Sequence, residues 1–137
     1  MNGQAIFYPV LAHLLLVISL YFLMAARKSK AVKAKEVDRK KAALDNKAWP
    51  DYVLLVSNNL ANQYEAPILF YVVCLVSYVT NSVTDLTIWL ACGFCALRYL
   101  HSYVQISSNY VPHRMAVFSL SLLVLLVMMI QTAIAII

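Results

Sequence analysis

Charge is nearly missing from this chain. Residues 1–26 carry no charged side chain, residues 115–137 carry none, and charged residues make up 12% of the whole against 63% hydrophobic. With a mean hydropathy of +0.74, this composition lies outside the range of water-soluble domains. Basic residues are absent from the first positions, Met1-Asn2-Gly3-Gln4, which argues against a cleavable signal peptide, and the opening apolar run reads as a retained helix. Internal repeats and low-complexity tracts are also lacking, so a repeat-built transporter gains no support. Neither a retention signal nor a lipidation motif is visible, and no metal-ligand set stands out.

What is present is long apolar runs. A spanning helix takes about 20 residues at a rise of roughly 1.5 Å each, so 137 residues hold four spans with short connections. The pattern predicts an all-α membrane bundle with helices over 6–26, 52–79, 86–107 and 115–137. Between the first two lies the one long polar stretch, 27–51, which ends in Trp49-Pro50, a helix-breaking proline beside an aromatic suited to the headgroup level. Its residues 27–50 hold nine of the eleven basic residues against three acidic ones, a net +6. Basic loops stay on the cytoplasmic side, which puts both termini outside and the connection between the third and fourth helices inside. Such a loop is solvated and meets anionic lipid heads. It lacks the interleaved aromatics or recognition module of a nucleic-acid site.

Cysteine carries little. Cys74, Cys92 and Cys95 all fall in predicted spans. Although Cys92 and Cys95 have C-x-x-C spacing, helical i,i+3 partners stand about 5–6 Å apart at Cβ, too far for a relaxed disulfide. They read as packing residues beside Gly93, a small-residue surface where another helix can come close.

Polar side chains inside the spans carry more. On the second helix Asn58, Asn62 and Glu65 follow i, i+4, i+7, and on the third Arg98, His101 and Gln105 follow i, i+3, i+7, so each helix bears one polar stripe. Their depths agree when the helices run antiparallel. Pairing them gives a ladder of Glu65 with Arg98, Asn62 with His101 and Asn58 with Gln105. An unpaired charge at such depth costs at least about 2.5–3.5 kcal/mol, so Glu65 and Arg98 are expected to have partners, within the chain or across a subunit boundary. A clasp that only fixes helix register would use the same residues. A second cluster, Asn109-Tyr110-Val111-Pro112-His113-Arg114, opens the fourth helix. Proline suits a first helical turn, and free N–H groups, the helix dipole and Arg114 together attract anions.

These residues resemble the MAPEG family, membrane-associated proteins of eicosanoid and glutathione metabolism. The resemblance covers nearly the whole chain. It rests on four helices, a basic first loop, the N-x-x-E pair Asn62 and Glu65 within ANQYEAPILFY, and ALRYLHSYVQISSNYVPHRMAVF with Arg98, His101, Arg114 and Phe118. It implies a homotrimer with glutathione, as co-substrate, held between subunits on the cytoplasmic side. Asn62 and Glu65 would hold the tripeptide and Arg114 would stabilise its thiolate. Asn58, Arg98, His101 and Gln105 complete the expected binding set. One departure stands out: family transferases carry an arginine four residues before the asparagine, where this chain has Asn58. The implied activity is a glutathione-dependent transferase or peroxidase acting on lipophilic electrophiles from the bilayer. The alternatives are a non-catalytic trimeric protein that keeps the pocket and, third, a proton or ion carrier using Glu65 and Arg98. Resemblance to short bacterial members points to a bacterial inner membrane rather than endoplasmic reticulum.

Overall fold

The computed structural model describes residues 2–137, and they are all-helical. Six helices follow in order: α1 (Phe7–Lys33), α2 (Arg39–Ala42), α3 (Asp51–Asn62), α4 (Ala66–Val79), α5 (Asp85–Ile106) and α6 (Val111–Ile136). A 3₁₀ turn at Gly3–Ile6 leads into α1. Helices α3 and α4 together make the second limb of an up-and-down four-limbed bundle.

Three stretches, Gly3–Lys33, Asp51–Val79 and Val111–Ile136, are long and apolar enough to cross a membrane. Helix α5 has 22 residues, about 33 Å at 1.5 Å each, so length does not disqualify it. Its composition falls short because Arg98, His101, Ser102 and Gln105 are polar. All four are buried inside the bundle, whereas Leu86, Trp89, Leu100 and Tyr103 face outward. The outer surface elsewhere is equally apolar, with Leu15, Phe22, Leu69, Val72 and Leu123 more than half exposed. A surface of this kind is stable against lipid tails.

Local chemistry sets the helix ends. Helix α1 runs to Lys33 rather than stopping near residue 26, since loss of apolar character ends the membrane span and not the helix. Thr84 and Thr87 form a reciprocal cap at the start of α5. Asn81 and Asn109, just beyond α4 and α5, take positive φ of 55° and 49°, a conformation asparagine tolerates better than most residues. At the basic end of the bundle Arg27 of α1 donates from Nη1 to the Tyr52 carbonyl of α3 at 2.6 Å and from Nη2 to the Ile106 carbonyl of α5 at 3.4 Å.

The second limb is not one helix. Pro67 has no N–H to give to the carbonyl four residues back, that of Gln63, and its ring crowds that oxygen. Helix α3 accordingly ends at Asn62, Glu65 adopts φ −94°, ψ −101°, and α4 restarts with Pro67 in its first turn. The interior is layered around this break. Toward the chain's amino-terminal end lies one apolar cluster, Ile6, Phe70, Cys74, Ile88, Ala91, Phe94, Leu125 and Met128, with Phe70 and Phe94 stacked at 4.4 Å. Toward the basic end lies another, Leu16, Val17, Leu20, Val56 and Leu60. A polar layer separates them.

Candidate functional site

The break in the second limb leaves carbonyl groups that a continuous helix would have used. The Gln63 N–H turns to the Leu60 carbonyl at 3.1 Å and that of Tyr64 to the Ala61 carbonyl at 2.9 Å, a tightened last turn. The Asn59 carbonyl, freed by this shift, accepts from the Gln63 side-chain Nε2 at 3.2 Å. That of Asn62 accepts from Arg98 Nη2 at 3.0 Å. Arg98 therefore caps the carboxyl end of α3, where the helix dipole favours a cation.

Gln63 is the hub of this layer. Its Oε1 accepts from Arg98 Nε at 3.3 Å and Nη2 at 3.1 Å and from His13 Nε2 at 3.1 Å. Because a guanidinium can only donate, the amide orientation is settled, and with it the imidazole tautomer. His13 carries its proton on Nε2 and accepts at Nδ1 from the Tyr71 hydroxyl at 2.6 Å. On the other side Gln63 Nε2 reaches Asn59 Oδ1 at 2.8 Å and Ser102 Oγ at 3.1 Å. Ser102 donates to Asn59 Oδ1 at 3.0 Å, and Asn59 Nδ2 donates to the Ser102 carbonyl at 3.2 Å. Three limbs thus converge on buried polar groups that are nearly all satisfied, as burial requires.

The expected ladder is corrected by this geometry. Arg98 is fully buried and bonds Gln63 and the Asn62 backbone, not Glu65. Asn62 Nδ2 donates to Gln105 Oε1 at 2.9 Å instead of pairing with His101. The pairing has shifted because the chain stops being helical after Asn62, so Glu65 leaves the stripe that ideal i+7 spacing gave it and stands exposed. Asn58 is exposed as well.

Six of the seven sequence-derived site residues nevertheless line one cleft. Asn58, Asn62, Glu65, His101, Gln105 and Arg114, with Met115 and Phe118, surround a volume of about 290 Å³. Arg98 lies behind them, its guanidinium carbon 5.9 Å from the Phe118 ring centre. Arg114 is oriented by Asn109, whose Oδ1 accepts from Nη1 at 2.7 Å. His101 approaches the Arg114 carbonyl through Nδ1 at 3.3 Å, and its ring lies 5.8 Å from that of Phe118. The cleft therefore combines one carboxylate, one guanidinium, three amides and an imidazole around a shallow hollow near the lower limit of small-molecule sites, roughly 300 Å³.

With that arrangement in view, one comparison with known proteins decides the family: the profile of the MAPEG family matches residues 5–134. The chain belongs to the MAPEG family. No curated protein and no solved structure gives a significant match. MAPEG membership agrees with an integral membrane protein of the all-helical bundle type, and the family is associated with glutathione-related transfer and peroxide chemistry and with eicosanoid metabolism.

Within this MAPEG chain the residues that sequence reasoning overlooked are Gln63, Asn59, His13, Tyr71 and Ser102. Asn59 and Gln63 sit beside Asn58 and Asn62, one position off the polar stripe. Pro67 was the available signal, because a proline there ends the regular helix and frees carbonyls of the preceding turn for side-chain donors.

Proposed function

We propose that this chain is a glutathione-dependent transferase or peroxidase for lipophilic electrophiles, working as a homotrimer with the polar cleft on the cytoplasmic side. The observation that carries the reading is the convergence of Asn58, Asn62, Glu65, His101, Gln105 and Arg114 on one cleft. The donor set suits a tripeptide thiol. Glu65 is a partner for an ammonium group, the amides of Asn58, Asn62 and Gln105 for peptide and carboxylate groups, and Arg114 for a thiolate. A nearby cation favours the ionised thiol, which is the competent nucleophile. The electrophile arrives through the bilayer, along the apolar outer surface of the limbs.

A single chain gives the cleft one lining guanidinium, Arg114, whereas glutathione brings two carboxylates and a thiolate. Asn58 replaces the cation that family transferases place there. A neighbouring subunit facing the cleft would supply what is short, and this is why the trimer belongs to the proposal. Residence in a bacterial inner membrane completes the reading and rests on resemblance alone.

The test is calorimetric titration of the purified protein with glutathione, followed by turnover with an aryl halide and with an organic hydroperoxide. Saturable binding with turnover of either electrophile supports the reading. Binding without turnover supports the non-catalytic alternative, and absence of binding rejects glutathione as the ligand.

A further inference from the structure

His101 is buried in the wall of the cleft, with 3% of its surface exposed. Its Nδ1 lies 3.3 Å from the Arg114 carbonyl oxygen, which can only accept. Nδ1 therefore carries the proton, and Nε2 of the neutral ring presents a lone pair. That Nε2 has no protein partner. Gln105, one turn along α5, comes near the ring without closing a hydrogen bond to Nε2, and its own oxygen accepts from Asn62. Arg98 Nη1 is likewise buried without a partner, and both side chains rest against Phe118. An unpartnered acceptor and an unpartnered donor thus sit three residues apart on α5, both covered from solvent in the single chain. Such a pair is complementary to a group that gives one hydrogen and accepts another.

We infer that His101 Nε2 is the base that takes the thiol proton, a step that rests on the glutathione reading above and adds a residue role to it. The S–H bond breaks and an Nε2–H bond forms. The electron pair stays on sulfur, where Arg114 at the cleft wall holds it as thiolate. The imidazolium keeps its Nδ1–H on the Arg114 carbonyl, so the ring does not turn during transfer. In addition to an activated alkene the thiolate forms the C–S bond, and the proton on Nε2 returns to the carbanion. In attack on a hydroperoxide the O–O bond breaks, sulfur is oxidised to the sulfenic acid, and the same proton goes to the departing alkoxide.

Two variants separate this role from packing. In His101→Asn the amide N–H can reach the Arg114 carbonyl as Nδ1 does, and nothing remains at the Nε2 position. His101→Gln places an amide near Nε2, where it cannot take up a proton. Stopped-flow ultraviolet absorbance would follow thiolate formation after mixing with glutathione, and calorimetry would give the affinity of each protein. Both variants are expected to form thiolate and turn over at least about 100-fold more slowly, with affinity changed less than about threefold. Retention of the parent rate by either variant overturns the proton role while leaving the glutathione reading intact. A loss of affinity that accounts for the whole loss of rate also overturns it, making His101 a holding residue. A parent protein that neither binds glutathione nor turns it over overturns both.

Discussion

Gln63 Oε1 receives two N–H groups of Arg98, at 3.3 and 3.1 Å, and this amide rather than a carboxylate is the side-chain partner of the buried guanidinium. A charge in that position survives because the carboxyl end of α3 and a carboxamide dipole both point at it. Gln63→Leu would leave Arg98 with the Asn62 carbonyl alone. Detergent-solubilised protein is expected to lose on the order of 3–5 kcal/mol, read as a lowered thermal midpoint. Adding Arg98→Leu is expected to restore much of that loss. Equal and additive losses would mean the pair is not coupled.

Glu65 behaves differently. It is exposed at the cleft, and the guanidinium is already engaged by Gln63. Glu65→Gln is expected to change stability by less than about 0.5 kcal/mol. Under the proposed function the same change weakens glutathione binding about tenfold, through loss of a charge-assisted contact to the ammonium group. Calorimetry and melting on one preparation would check both. A large stability loss would restore the direct Glu65–Arg98 pairing expected from helical spacing.

Arg114 is the cation that lines the cleft, and Asn109 holds it at 2.7 Å. A cation beside the thiol lowers its pKa, so removing it raises that pKa and moves the pH–rate profile upward. Arg114→Ala is expected to reduce turnover about 100-fold or more, with glutathione affinity falling much less. Arg114→Lys should lie between. A profile and rate identical to the parent in Arg114→Ala would rule out thiolate stabilisation by this residue.

The basic loop gives a topology test. Ser29 lies exposed on the part of α1 that continues past the membrane span. A cysteine placed there, in a Cys92→Ser background, should react with an impermeant maleimide after permeabilisation and not on intact cells. Labelling from outside would invert the bundle.

Much of this was readable from residue order. Apolar runs and the basic stretch set out the four limbs, because burial against lipid leaves little room for charge. The stripes on the second and third limbs placed Asn58, Asn62, His101 and Gln105 at a common wall, since helical periodicity holds over the two turns each stripe spans. The pairing across that wall was not readable, because the helical period that sets it ends at Asn62, before Glu65. Gln63 follows Val56 and Leu60 on the inward face of α3, an apolar stripe on which a lone amide gives no separate signal. His13 was missed for another reason: a lone histidine in an uncharged span carries no periodic signal, and its partners Gln63 and Tyr71 are 50 and 58 residues away.

Arg27 bridges α1 to the start of α3 and the end of α5 through two backbone carbonyls. Such a clasp makes the joining of the first two limbs a matter of side-chain grip as well as covalent continuity. The peptide bonds of the segment between Lys33 and Asp51 then become dispensable for holding the limbs side by side. Fragments 1–42 and 43–137, produced together, should recover one another in the membrane and copurify. With Arg27→Ala recovery of the pair should fall, the remaining hold coming from His13 and from Leu16, Val17 and Leu20 packed on Val56 and Leu60, whereas the uncut chain carrying the same change stays associated through its backbone.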